Sequence, residues 1–175
     1  IGRAIVAELV DAGLTVAFTW RSDRGAAGEV EGRHPGRALA FQLDLADRAR
    51  PDAVVEEVES GLGPIDVLVN NAAIERHELL AMTSDASWDE MLDVNLSGPF
   101  RVTRAVLRRM VGRRRGAIVN IASLSALRGV AGHFISQEIR ALQAVPEALK
   151  VWARLVLPDA KTLKFDKAVL PPLRT

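Results

Sequence analysis

The run Ile65-Asp66-Val67-Leu68-Val69 is apolar at every position but one. A strand with one wet face alternates apolar and polar residues, so a near-continuous run belongs to a strand covered on both faces. Such strands occur in parallel sheets packed between helices. Similar runs recur at Leu14–Trp20, Ala38–Leu43 and Ala117–Ile121, rich in β-branched and aromatic residues. Helical patterns lie between them. Ile1–Ala12 gathers its apolar residues on one broad face, and Gly13 supplies a stop. Arg21–Glu31 reads as a polar turn with a short helix, broken at His34-Pro35-Gly36. Asp47–Leu62 reads as an amphipathic helix with Pro51 in its first turn, stopped by Gly61 and Gly63-Pro64. Ser87-Trp88-Asp89-Glu90 reads as a capping box that opens a long helix to about Met110, bent at Gly98-Pro99. Strand and helix alternate with short connections. The expected fold is therefore α/β, a doubly wound parallel sheet in three α/β/α layers.

The bulk numbers exclude several classes. The 175 residues suffice for one domain with a core. With no cysteine there is no disulfide or thiolate metal site, which fits a cytoplasmic setting. His34, His77 and His133 lack metal-ligand spacing. The net charge of +1 offers no field for nucleic acid, and the apolar runs are too short to span a membrane. Ile1–Ala12 carries Arg3, Glu8 and Asp11 at helical spacing, so it does not read as a signal peptide. It opens inside a helical pattern without a methionine, so the chain reads as cut at its N-terminus. Arg108, Arg109, Arg113, Arg114 and Arg115 form a basic helix end. This is either a solvated end that complements the helix dipole or a docking patch for an acidic partner.

Ligands of open parallel sheets sit outside the carboxyl ends of the strands. The candidates are thus the residues just past each run. Arg21 and Ser22 follow the first, with no acid before them. A cation there suits the 2′-phosphate of NADP, whereas NAD sites place an acid there; the alternative is a solvated turn. Asp44, with Leu45, could accept from an adenine amino group or cap the next helix. After Asn70, Asn71 adds a second amide, and the small Ala72 and Ala73 would let a flat ligand approach; a plain Asx turn is the alternative. Asn95 is an unusual residue for a helix interior, close to Gly98 and Pro99. Its side chain or a freed carbonyl could hold a water, or it could be an exposed polar residue. Ser123, just past Ile121, could polarise a carbonyl, or with Ser125 merely turn the loop.

The segments GRAIVAELVDAG, TWRSD, LDL, IDVLVNNAAI, WDEMLDVNLSGPF and GAIVNIASLSALRG, in this order, resemble the short-chain dehydrogenase/reductases. Within that family they are most similar to the 3-oxoacyl acyl-carrier-protein reductases. The resemblance runs from Ile1 to about Gly132. It implies a Rossmann-like domain over residues 1–135 that moves hydride from NADPH to a ketone such as a 3-oxoacyl thioester. It assigns Gly2 to the end of a phosphate-binding loop and Arg21 and Ser22 to the 2′-phosphate. Asp44 and Leu45 go to the adenine, and Asn71, Ala72 and Ala73 to the ribose and nicotinamide. Asn95 would organise a proton-relay water, and Ser123 would orient the carbonyl. Arg114 matches a position that helps dock the acidic carrier protein. The family commonly self-associates through the helix corresponding to Trp88–Met110, which implies a homo-oligomer.

Departures from the family pattern set further expectations. The family's central first strand and its last strands have no counterpart, so the sheet should be incomplete, with a gap between its halves. Where the family places Tyr-x-x-x-Lys, thirteen residues past the serine, this chain has Ser136 and Arg140; it contains no tyrosine. Residues 136–175 show no resemblance and read as a divergent helical segment and tail. The expectation is a reductase-family chain impaired in turnover. The alternatives are a non-catalytic nucleotide-binding or dimer-partner subunit, or a non-functional fragment.

Overall fold

The computed structural model describes residues 1–76 and 78–122. Eleven elements follow one another: α1 (Gly2–Asp11), β1 (Val16–Trp20), α2 (Arg24–Arg33), β2 (Ala38–Gln42), α3 (Arg50–Leu62), β3 (Val67–Asn70), a 3-10 turn (Leu80–Met82), α4 (Asp85–Leu92), a π-turn (Asp93–Ser97), α5 (Gly98–Arg113) and β4 (Ala117–Asn120). β1 pairs in parallel with β2, Val16 opposite Ala38 through Trp20 opposite Gln42. β3 pairs in parallel with β4, Val67 opposite Ala117 through Asn70 opposite Asn120. Among the described residues these are two separate two-stranded sheets.

Side-chain alternation decides which helix covers which face. Val16 and Phe18 of β1 pack on Val6 of α1 and Val30 of α2. The intervening Ala17 points the other way, with Phe41 of β2, onto Val54 and Val58 of α3. Helices thus cover both faces of the first sheet, as its apolar run requires. α3 continues across to the second sheet. There Val55 joins Ala105, Val106 and Met110 of α5 over Leu68 and Ile118. The opposite face of β3 carries Val67, which is 42% exposed.

Several sequence expectations shift by a few residues, each for a local reason. The helix expected from Asp47 begins at Arg50, because Asp47 Oδ1 instead accepts from the backbone N–H groups of Ala49 and Arg50 at 2.9 and 3.3 Å. Asp44 does not cap that helix; its carboxylate closes a tight turn on the Ala46 N–H at 3.0 Å. The cap of α4 is Ser84, whose Oγ accepts from Ser87 N–H at 3.2 Å, and not Ser87. Ser87 donates its own hydroxyl to Glu78 at 3.1 Å. Gly13, at φ 90°, ends α1 as expected, donating to Val10 while Leu14 donates to Leu9.

The basic end of α5 is largely neutralised by its own chain. Glu59 of α3, 17% exposed, takes Arg109 Nε at 3.1 Å and Arg113 Nη1 at 2.9 Å, and also accepts the Ile65 N–H at 3.1 Å. Arg113 donates its other amine to the Ile65 carbonyl at 2.9 Å. Arg115 pairs with Asp66, and Arg108 lies 3.8 Å from Asp52. Glu59 therefore ties α3, α5 and the entry to β3 together. Replacing it by alanine leaves half-buried guanidinium groups without their acceptor and is expected to cost about 2 kcal/mol. A lower urea midpoint at unchanged slope checks this; an unchanged midpoint would show the cluster to be mere surface pairing.

Candidate functional site

A cavity of about 930 Å³ runs between β1 and β3. Val16–Trp20 and Val67–Asn70 form its two long walls, while β2 and β4 contribute nothing to it. The gap expected between the halves of the sheet is thus present, floored by Val54, Val58 and Val106.

At the carboxyl ends of the walls the lining changes character. Gly2, Arg21, Ser22, Leu45, Asn71 and Ala72 all border the same cavity, although they come from four separate stretches of chain. Asp44 and Ala73, expected beside them, are exposed and do not line it. Gly2 opens α1 directly against Asn71: a Cβ at Gly2 would stand 2.9 Å from the Asn71 amide nitrogen. A side chain at Gly2 would have to push the Asn71 amide aside, so the start of α1 lies in contact with the loop after β3. Arg21 is exposed, and among the described residues no acid pairs with its guanidinium. Its carbonyl accepts from Gln42 Nε2 at 3.2 Å, which fixes the turn after β1 to the end of β2.

Asn95 sits in the π-turn. Gly98 N–H reaches back to the Asp93 carbonyl, a π-type bond, and Pro99 has no N–H to return to the Asn95 carbonyl. The helix expected to bend at Gly98-Pro99 is therefore interrupted just before them. Both halves of the Asn95 amide clasp one residue: Oδ1 accepts from Ile74 N–H and Nδ2 donates to the Ile74 carbonyl, each at 2.8 Å. This anchors the Asn71–Ala73 loop. Asn70 does the same for the strand end, donating to Thr103 Oγ1 of α5 at 3.0 Å and to Asn120 Oδ1 of β4 at 2.8 Å. Ser123, Ser125, Ser136 and Arg140 lie outside the described residues.

The model of the short chain dehydrogenase family matches residues 1–135. This chain belongs to the short chain dehydrogenase family. It is 40% identical over 134 residues to a 3-oxoacyl-acyl-carrier-protein reductase of Vibrio harveyi. It is 36% identical over 132 residues to the reductase of that name from Salmonella typhimurium. Each alignment covers 75% of this chain and 54% of the relative, so the chain spans about half the length of the curated relatives it matches. A short-chain dehydrogenase from Streptomyces avermitilis superposes with a TM-score of 0.79 at 32% identity, covering 89% of this chain and 57% of that one. An NADPH-bound variant of actinorhodin polyketide ketoreductase gives a TM-score of 0.81 at 30% identity, covering 89% and 62%.

The strand-end rule named Arg21, Ser22, Leu45, Asn71 and Ala72, which border the cavity, and also Asp44 and Ala73, which do not. It did not single out Ile74 or Arg101, which hydrogen-bond Asn95 and the Leu45 carbonyl respectively. Ile74 acts through its backbone, so its side-chain identity carries no signal. Arg101 stands eight residues past Asp93, a helical same-face spacing that is a weak hint at best.

Proposed function

We propose that this chain binds NADP(H) at the carboxyl end of the cavity and descends from a ketone reductase. The observation that carries the reading is the meeting of Gly2, Arg21, Ser22, Leu45, Asn71 and Ala72 around one space. Their chemistry fits the cofactor. The α1 N-terminus at Gly2 offers backbone N–H groups and a positive dipole to a pyrophosphate. The Arg21 guanidinium, free of an acid among the described residues, suits a 2′-phosphate. Asp44 stands just outside, within the same turn as Leu45, and Ala73 extends the small-residue wall. When bound, the nicotinamide would supply hydride.

The substrate class is a ketone such as a 3-oxoacyl thioester, delivered on a carrier protein that Arg114 would help to dock. Ser123 would hold the carbonyl, and the backbone of Asn95 would hold a relay water, since its amide is committed to Ile74. Proton transfer is where this chain falls short. A serine at 136 ionises far above a phenol, whose reference value is about 10, and its hydroxyl lies nearer the backbone. Arg140 keeps a cation of different shape. Oxidation of NADPH with an acetoacetyl thioester is expected to match the protein-free control. Turnover near that of an intact relative would contradict this.

The second reading is a non-catalytic subunit that pairs with another copy or an active relative. Phe100, 56% exposed, and Val111, 38% exposed, stand on the outer side of α5 and favour it. Light scattering on the chain, alone and mixed with an active relative, separates it from a strict monomer.

A further inference from the structure

Arg101 lies in the first turn of α5, and its side chain is only 12% exposed. Nη1 donates to the Leu45 carbonyl at 3.1 Å, and Nη2 donates to Asp93 Oδ1 at 2.8 Å. Its two ends thus hold different parts of the chain. Leu45 belongs to the loop that leaves β2; Asp93 opens the π-turn that presents Asn95. Gly98 closes the same joint by contact: a Cβ there would stand 2.6 Å from Leu45 Cβ and 3.0 Å from the Leu45 carbonyl oxygen. Arg48, on the β2 loop, reaches Asp93 Oδ2 at 3.7 Å but is 78% exposed, so it adds little. The Arg101 guanidinium holds the Asp93 carboxyl below its ordinary range.

These contacts form a continuous path between the two sheets. Leu45 lines the cavity on one side. Arg101 carries its position to Asp93 and the π-turn, Asn95 carries it to Ile74, and Ile74 leads back to Ala72 on the other side. The two sheets share no strand pairing among the described residues. Their spacing at the site therefore depends on such helix-borne joints. We propose that Arg101 is a positioning residue that sets the distance between the Leu45 and Ala72 walls of the nucleotide cavity. The inference rests on reading that cavity as the NADP(H) site. A planar fork suits the task, because it can grip a carbonyl and a carboxylate at once in fixed geometry, which a single ammonium cannot.

The test compares the full chain with Arg101→Met, Arg101→Lys and Asp93→Asn. Binding of NADPH and of adenosine 2′,5′-bisphosphate is measured by calorimetry. Arg101→Met is expected to weaken both at least tenfold and by the same factor, since the adenine half would lose its wall. Asp93→Asn keeps the acceptor for Nη2 and should stay within about threefold, with Arg101→Lys in between. In the absence of nucleotide, hydrogen exchange at the Ala46 and Ala49 amides should rise at least tenfold in Arg101→Met, while the β3 and β4 amides stay unchanged. Affinity within twofold of the parent in a folded Arg101→Met protein overturns the proposal. Should that variant not fold, Arg101→Lys with parental affinity and parental exchange overturns it equally. Failure of the parent itself to bind NADPH would refute the cofactor reading instead. The exchange measurement then decides the clamp alone: a rise confined to the 44–49 loop supports it, and no rise rejects it.

Discussion

Replacing Met110 by alanine should lower the unfolding free energy by about 3 to 4 kcal/mol. Met110 is completely buried, with Val55, Ala105 and Val106 around it and Ile65, Leu68 and Ile118 packed against them. Truncation there removes both transfer energy and contacts, and the cavity opens where α3, α5 and the second sheet meet. The same side chain explains the glycine after α5. Gly116 has a φ of 151°, and a Cβ there would stand 2.3 Å from Met110 Sδ and 2.5 Å from its Cγ. The Cγ cannot swing aside without moving the whole side chain. Gly116→Ala should therefore cost about 2 to 3 kcal/mol by overpacking and backbone strain. In a Met110→Ala background the space is already open, and the same change should cost at least about 1 kcal/mol less. Urea melts of the two single variants and the double variant check this. Strict additivity would show that Met110 and Gly116 do not meet as described.

Asn95→Ala should cost about 2 to 3 kcal/mol and weaken NADPH binding by at least about tenfold. Both effects come from the clasp on Ile74, whose N–H and carbonyl would lose partners at 2.8 Å in a half-buried place. The loop from Asn71 to Ala73 would then no longer hold its line along the cavity. Asn95→Asp discriminates between a clasp and mere packing. It keeps the acceptor for the Ile74 N–H but sets an oxygen against the Ile74 carbonyl. It should therefore lose nearly as much as alanine despite its near-identical shape. A near-parental melt and affinity for Asn95→Asp would mean the clasp is not what matters.

The parts of this fold that could be read from the sequence are those fixed by local pattern. The apolar run at Ile65–Val69 announced a parallel strand, and β3 is one, but only its Leu68 face is covered by α3 and α5; Val67 on the other face is exposed beside the gap. Arg21, Ser22, Leu45, Asn71 and Ala72, past the strand ends, border one cavity because parallel strands end together, while Asp44 and Ala73 stand outside it. What escaped was set by contacts distant in sequence or by competition between neighbours. Glu59 pairs with Arg113 across 54 positions, so the basic end looked free when most of it is not. Asp47 could start a helix or close a turn, and the turn won. Ser84 and Ser87 both have the chemistry of a cap, and only the contact from Ser87 to Glu78 assigns them. The π-turn follows from Pro99 lacking a donor for Asn95, which a reading at 3.6 residues per turn recorded only as a bend.

One measurement bears most directly on the account: calorimetric titration of the full chain with NADPH and, separately, with NADH. Arg21 at the cavity, with no acid on its guanidinium among the described residues, leads to saturable NADPH binding at least about tenfold tighter than NADH, with the difference lost in Arg21→Ala. Absence of NADPH binding at millimolar ligand, or tighter binding of NADH, would contradict it.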